Sequence, residues 1–173
     1  MAITAFRTTS RAADIREEQF LRIVDEHSQL ISKICYMYAE DTDHFNDLYQ
    51  ETLANLWQGM DSFRGDSRIS TWIYRMTINS CVTFYRRHRR HSADTVPLDS
   101  LMGVAGDDGV RLNNLKEMYR LISTLDRVEK AIILMWLDER TYDEIAEVTG
   151  MARNTVATRL RRIKQKLARR ANE

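Results

Sequence analysis

The chain of 173 residues holds one proline, six glycines and two cysteines. With Pro97 the only proline, nothing elsewhere forces a helix to kink or stop. Cys35 and Cys81 are isolated. No Cys-x-x-Cys and no His/Cys spacing suited to zinc occurs, so a zinc module is excluded, no metal or other cofactor is expected, and two reduced core thiols remain. No apolar run approaches the roughly 20 residues of a membrane span. The opening MAITAFRTTSRAA is too polar for a secretory signal. A cytoplasmic protein without membrane insertion is the expectation, with residues 1–15 a frayed, disordered tail. The alternation of apolar and polar residues that marks a strand is missing. So are a Ser/His/Asp arrangement and a Gly-rich phosphate loop, which removes the common signatures of an enzyme.

An overall excess of charge is also missing, since the formal net charge is +1. The near-neutral total conceals segregation. From Asp14 to Asp61 there are eleven acids against three bases. From Arg64 to Arg90 there are seven arginines against Asp66 alone, and from Arg153 to Arg170 eight bases and no acid. Two basic blocks suggest two surfaces facing nucleic acid, and the acidic stretch a third surface for another partner.

Three of the six glycines fall at 103, 106 and 109, close to Pro97 and four aspartates. The stretch 92–111 therefore reads as a flexible linker. Elsewhere apolar residues recur at helical spacing. One stripe runs from Phe20 through Ile31 and Ile34 to Tyr38, a second from Phe45 through Leu48 and Leu56 to Met60, and a third from Ile69 through Ile73 towards Arg86. Beyond the linker, Leu112, Leu115, Met118 and Ile122 mark a fourth helix. Asp126 with Glu129, and Thr141 with Glu144, read as capping boxes opening two more. Gly150 suits a left-handed helix end. The last helix buries Val156, Leu160, Ile163 and Leu167 and leaves its basic residues outside. The predicted fold is all-α: two small helical domains, at 16–91 and 112–173, joined by a flexible linker, the C-terminal one a helix-turn-helix.

A Gly turn between two short helices, the second basic, is the layout in which the second helix enters the DNA major groove. Its outer face carries Arg153, Asn154, Thr155, Thr158, Arg159 and Arg162. Arginine suits guanine edges, asparagine suits adenine, and threonine suits phosphate or a thymine methyl. Lys164, Lys166, Arg169 and Arg170 follow, where backbone phosphates are the natural targets.

The N-terminal half carries three strings: Asp47-Leu48-Tyr49-Gln50-Glu51 followed by Trp57; Phe63-Arg64-Gly65-Asp66-Ser67; and Ser70-Thr71-Trp72-Ile73-Tyr74-Arg75-Met76-Thr77-Ile78-Asn79, running on to Tyr85 and Arg86–Arg90. Singly, each has an ordinary reading as a solvated helix edge or a packed aromatic. In this order, with the basic helix-turn-helix behind them, they resemble the bacterial sigma factors of RNA polymerase, in particular the compact two-domain extracytoplasmic-function (ECF) group. The resemblance covers roughly residues 18–170 outside the linker.

The resemblance implies that 16–91 is region 2 and 112–173 region 4, and that the protein is not itself an enzyme. Asp47, Leu48, Gln50 and Glu51 would grip the clamp of the largest subunit of core RNA polymerase, with Leu48 as core anchor, and region 4 would lie near the flap. Phe63 and Arg64 would frame a pocket for a base flipped from the −10 element, and Asn79 would meet its edge. Arg75, Tyr85, Arg86, Arg87, Arg89 and Arg90 would hold the melted strand. The outer face of the last helix would read the −35 element of promoter DNA, and an anti-sigma protein would keep the chain silent. Met76, Thr77 and Ile78 depart from the small residues usual before the asparagine. Two other readings remain open. A stand-alone regulator would bind a palindrome through the helix-turn-helix and need none of the N-terminal strings. An enzyme built on His44, Asp47 and Glu51 would need a second ligand-bearing helix, which the sequence does not supply.

Overall fold

The computed structural model describes residues 2–88 and 109–172, with side chains described over 14–87 and 116–172. These residues form α1 (Ala2–Tyr38), α2 (Thr42–Gly59), a 3-10 turn (Met60–Ser62), α3 (Ile69–His88), α4 (Gly109–Ser123), α5 (Arg127–Leu137), α6 (Tyr142–Thr149) and α7 (Arg153–Arg170). Among the described residues there is no strand, and no described helix is long and apolar enough to cross a membrane.

The first helix corrects the expectation of a frayed tail over 1–15: α1 starts at Ala2. No proline or glycine interrupts that stretch, and Arg16 ties the helix to the body of the domain. Its guanidinium lies 4.2 Å from the Trp57 ring, donates to the Trp57 carbonyl at 3.0 Å and pairs with Asp61. The expected linker 92–111 lies largely outside the described residues, and α4 begins inside its last turn, at Gly109.

α1, α2 and α3 share one core: Ile31, Ile34, Cys35 and Tyr38 meet Leu48 and Leu56, and Ile73, Tyr74, Ile78, Cys81 and Phe84 close it. The stripes expected from the sequence are the buried faces, as the helical period requires. Both cysteines are free and buried. Thr52 lies against Cys35, and Asn55 donates to the Ser80 hydroxyl, which donates in turn to the Met76 carbonyl, whereas the buried Thr77 hydroxyl has no partner among the described residues. Gly59 lies where α2 meets α3; a Cβ there would sit 2.7 Å from the Met76 methyl, so that flexible side chain would have to move aside.

α4 to α7 build the second core from Ile122, Leu125, residues 131–135 of α5, Ile145, Val148, Val156, Leu160 and Ile163. Leu167 is only half-buried. Both capping boxes form: Asp126 accepts from the Val128 and Glu129 amides, Thr141 accepts from Glu144, and each glutamate reaches back to its cap. Gly150 closes α6 with φ +69. An added Cβ there meets nothing within 4 Å, so the demand on glycine is purely one of backbone conformation. Gly150→Ala is expected to cost about 1 kcal/mol, the left-handed penalty of an L-residue, and Gly150→Asn less; chemical denaturation of the two variants measures the difference.

The two helical units pack against each other. The turn between α5 and α6 enters between α1 and α3, where Asp138 pairs with Lys33 and accepts from the Tyr74 hydroxyl. Beside it Arg140 donates to Ser70 (2.9 Å) and Thr71 to Glu144 (3.2 Å). Farther along, the Tyr38 hydroxyl donates to the Arg127 carbonyl (2.5 Å), Lys130 to the Met37 carbonyl (3.0 Å), and Tyr36 meets Tyr119 edge-on. Glu139 holds φ +57, uncommon for a residue with a side chain; tertiary contacts of Asp138 and Arg140 on either side hold it there.

Candidate nucleic-acid interface

α7 presents the face expected of it. Val156, Leu160 and Ile163 are buried, and Arg153, Asn154, Thr155, Thr158, Arg159 and Arg162 are all exposed. The Gly150 turn and the α6 capping box fix the angle at which α7 leaves. Arg153 pairs with Asp143 at 3.3 Å and lies over the Tyr142 ring. Both contacts are exposed and weak, so they orient the guanidinium without committing it. Thr158 donates to the Asn154 carbonyl, whereas no partner among the described residues holds Arg159 or Arg162. The C-terminal basic residues are less available: Lys166 pairs with Glu129 at 2.7 Å, and Arg170 donates to Thr124.

On α3, Arg75, Asn79 and Arg86 recur at helical spacing and share a face. Asn79 and Arg86 are exposed and Arg75 half-exposed. Thr77, on the opposite side, is fully buried. The polar Asn79 therefore faces solvent and leaves no buried amide to satisfy. In the loop before α3, the Phe63 ring lies 5.5 Å from Trp72, while Arg64 and Asp66 are exposed around Gly65. Phe63, Arg64 and the α3 face thus border one side of the N-terminal unit. Arg89 and Arg90 lie outside the described residues.

Several of the residues assigned from the sequence to polymerase or DNA are engaged within the chain. Glu51 pairs with Arg87 at 3.1 Å. Arg75 pairs with Glu147 of α6 at 2.9 Å, across the domain boundary. Tyr85 is half-buried, and the Arg127 guanidinium lies 4.6 Å from its ring. Burial, followed by the charge and hydrogen bond of Glu40, pushes the Tyr85 phenol above its ordinary range, so it stays a neutral donor. In the first string, Asp47 and Gln50 are exposed and Leu48 is fully buried beneath them. His44 lies near Glu40 and Asp41, and no group of three His, Cys, Asp or Glu among the described residues could hold a metal.

Sequence reading missed two features. One is the Asp138 turn, whose partners Lys33 and Tyr74 lie 105 and 64 residues away; no local pattern announces such a contact. The other is an apolar groove of about 400 Å³ between α4, α5 and α7, lined by Met118, Leu121, Ile133, Trp136 and Leu167. Trp136 and Leu137, 36% and 41% exposed at its rim, could have signalled it, because the helical period alone would bury them.

Two family models match the chain: Sigma-70 region 2 over residues 23–91, and Sigma-70 region 4 over 115–167. Curated relatives include the ECF RNA polymerase sigma factor SigM of Mycobacterium tuberculosis, 26% identical over 87% of this chain and 76% of its own length. The ECF RNA polymerase sigma factor SigW of Bacillus subtilis is 26% identical over 87% and 88%. The ECF RNA polymerase sigma-E factor of Salmonella typhimurium is 25% identical over 86% and 84%. Among solved structures, CnrH in complex with the cytosolic domain of CnrY has the same fold, with a TM-score of 0.66 at 20% identity over 94% of each chain. The sigma factor RpoE of Bartonella quintana, in complex with the anti-sigma factor NepR, gives 0.66 at 20% over 87% and 92%.

Proposed function

Because the chain belongs to the sigma-70 family as an ECF-type sigma factor, we propose that it directs core RNA polymerase to a narrow set of promoters, reading the −35 element with α7 and opening the −10 element with the Phe63 loop and α3. The observation that carries this reading is the pairing, in one chain, of two exposed polar faces on separate helical units. Arg153 to Arg162 of α7 suit base edges in a duplex groove, and Arg75, Asn79 and Arg86 of α3 suit a displaced single strand. The chain supplies binding and specificity, and the phosphodiester chemistry belongs to the polymerase. Region 2 is assigned to 16–91 and region 4 to 112–173.

Melting requires a base to leave the stack, at a cost of a few kcal/mol that must be recovered in a pocket. Phe63 offers a ring edge, Arg64 a phosphate contact and Asn79 an amide that both donates and accepts. Asp47, Gln50 and Glu51 form the acidic grip on the polymerase clamp, and the apolar groove beside Trp136 receives the flap. Arg75 and Glu147 must part before Arg75 can meet a phosphate, so loading onto promoter DNA separates the units at α3 and α6. An anti-sigma protein of the kind bound by the Bartonella quintana sigma factor would hold the chain silent in the cytoplasm until that point.

The decisive experiment is transcription in vitro by the purified chain with sigma-free core polymerase from the same organism on genomic fragments, with RNA 5′ ends mapped. New start sites sharing two upstream elements are expected. Their absence with folded, inhibitor-free protein would overturn the reading in favour of a stand-alone DNA-binding regulator. Within the same system, Asn79→Ala is expected to lower open-complex formation about tenfold, the loss of one to two base-edge hydrogen bonds, with closed-complex affinity unchanged. Equal losses in both steps would remove Asn79 from the pocket.

A further inference from the structure

At the junction of the two units lies a groove of about 550 Å³, of which the promoter reading uses only Arg159 at its edge. Tyr38 and Tyr85 line it from the N-terminal unit, and Arg127, Lys130 and Arg159 from the C-terminal one. Its lining holds one carboxylate, Asp126, against three cations. Among the described residues none of the three cations has a carboxylate partner, whereas the nearby acids are all engaged. Asp126 caps α5 through two amide bonds of 2.9 and 2.8 Å, Glu129 pairs with Lys166, and Glu40 faces the Tyr85 hydroxyl.

What holds the cations instead is aromatic. Arg127 lies over Tyr85, and Lys130 lies 5.7 Å from the Tyr38 ring. Lys130 spends one of its three donors on the Met37 carbonyl, and the other two have no hydrogen-bond partner among the described residues. Burial, then the charge of Arg127, holds the Lys130 ammonium below its ordinary range; the opposing charge of Glu40 is the smaller influence. A recessed, concave group of like charges concentrates anions. Three cations drawn from two helices, two of them held over tyrosine rings, are best matched by a ligand with several charged oxygens spread along a chain, and the volume lies in the range of small-molecule sites.

We propose that this groove binds a polyphosphate anion of nucleotide size, with Arg127, Lys130 and Arg159 on its oxygens. Because one unit supplies the cations and the other supplies the tyrosines that position them, the ligand favours the packed arrangement of the two units and opposes its opening. That consequence rests on the sigma-factor reading; the binding itself does not.

Titration calorimetry on the full chain at about 0.15 M salt, where surface charges are screened beyond roughly 8 Å, tests the site with ATP, inorganic tripolyphosphate and adenosine. One saturable site for ATP and tripolyphosphate, and none for adenosine, is expected. ATP binding more tightly than tripolyphosphate identifies a nucleotide as the ligand; equal affinities identify the phosphate chain alone. Arg127→Gln and Lys130→Gln should each weaken binding at least about tenfold, the loss of a charge-assisted contact, while Arg161→Gln, on the exposed face of α7, leaves it unchanged. Unshifted thermal midpoints of the three variants show that each is folded. No saturable binding, or an equal loss in Arg161→Gln, overturns the proposal. If binding survives while promoter transcription fails, the sigma-factor reading falls and the site stands.

Discussion

Asp138→Ala is expected to release the two helical units from each other, at a cost of about 2–3 kcal/mol to their packing, the scale of hydrogen bonds to a charged group whose partners are left behind. The carboxylate is three-quarters enclosed, with a side-chain exposure of 24%, and Lys33 is at 28%. That partial exposure places the loss below the value for a fully buried pair. Two groups suffer together. Lys33 loses its counter-charge, and Tyr74, fully buried in the first core, loses the acceptor for its hydroxyl. Burial, then the hydrogen bond to Asp138, pushes the Tyr74 phenol well above its ordinary range, so it serves only as a neutral donor there. Tyr74→Phe removes that bond without stranding a charge and should cost about 1 kcal/mol. Small-angle scattering measures the outcome: an increased radius of gyration for Asp138→Ala with helix content retained. A radius equal to that of the parent would mean that the other cross-boundary contacts, at Arg75 and Arg127, hold the units without this one.

The double substitution Asp47→Ala with Glu51→Ala is expected to weaken binding to core polymerase at least about tenfold while leaving the fold intact, since truncating charged groups that become buried in an interface costs on the order of 2–5 kcal/mol and rim charges less. Asp47 is exposed and Glu51 half-exposed, and neither supports the core. Glu51 is shared with Arg87, so Glu51→Ala alone also frees a guanidinium and its effect mixes two causes. The double variant beside Arg87→Ala separates them. Leu48→Ala is the contrasting case. Leu48 is fully buried, and its truncation should cost about 2–5 kcal/mol of fold stability. Fluorescence anisotropy against core polymerase, with circular dichroism as the check on helix, reads both. Unchanged affinity in the double variant would remove this helix from the polymerase interface.

Local chemistry made much of the architecture legible. Asp126 with Glu129 and Thr141 with Glu144 are caps because a short polar side chain reaches the amide three residues on, and Gly150 ends α6 because its φ of +69 favours a residue without a Cβ. The stripes through Ile31, Leu48, Ile73 and Leu160 became the buried faces for the same reason, a period of 3.6 that leaves one side inside. The order of Asp47–Glu51, Phe63–Ser67 and Ser70–Asn79, with the basic helix behind, was enough to indicate the family.

Where those helices meet was not legible. Which cations are free is a property of the packed chain. Arg87 and Glu51 were assigned to different partners and satisfy each other; Arg75 is held by Glu147, and Tyr85 is covered by Arg127. Residues 1–15, rich in polar and small side chains, read as a tail and are helical from Ala2, because helix persists where nothing breaks it and Arg16 anchors it on Trp57. The sequence by itself determined the central run of each helix, the caps of α5 and α6 and the buried faces, since each depends on residues within four positions of one another. The tertiary structure alone decided the Asp138 junction, the apolar groove at Trp136 and the unbalanced cations between the units, since each is assembled from segments tens of residues apart whose charges carry no record of the neighbours they will meet.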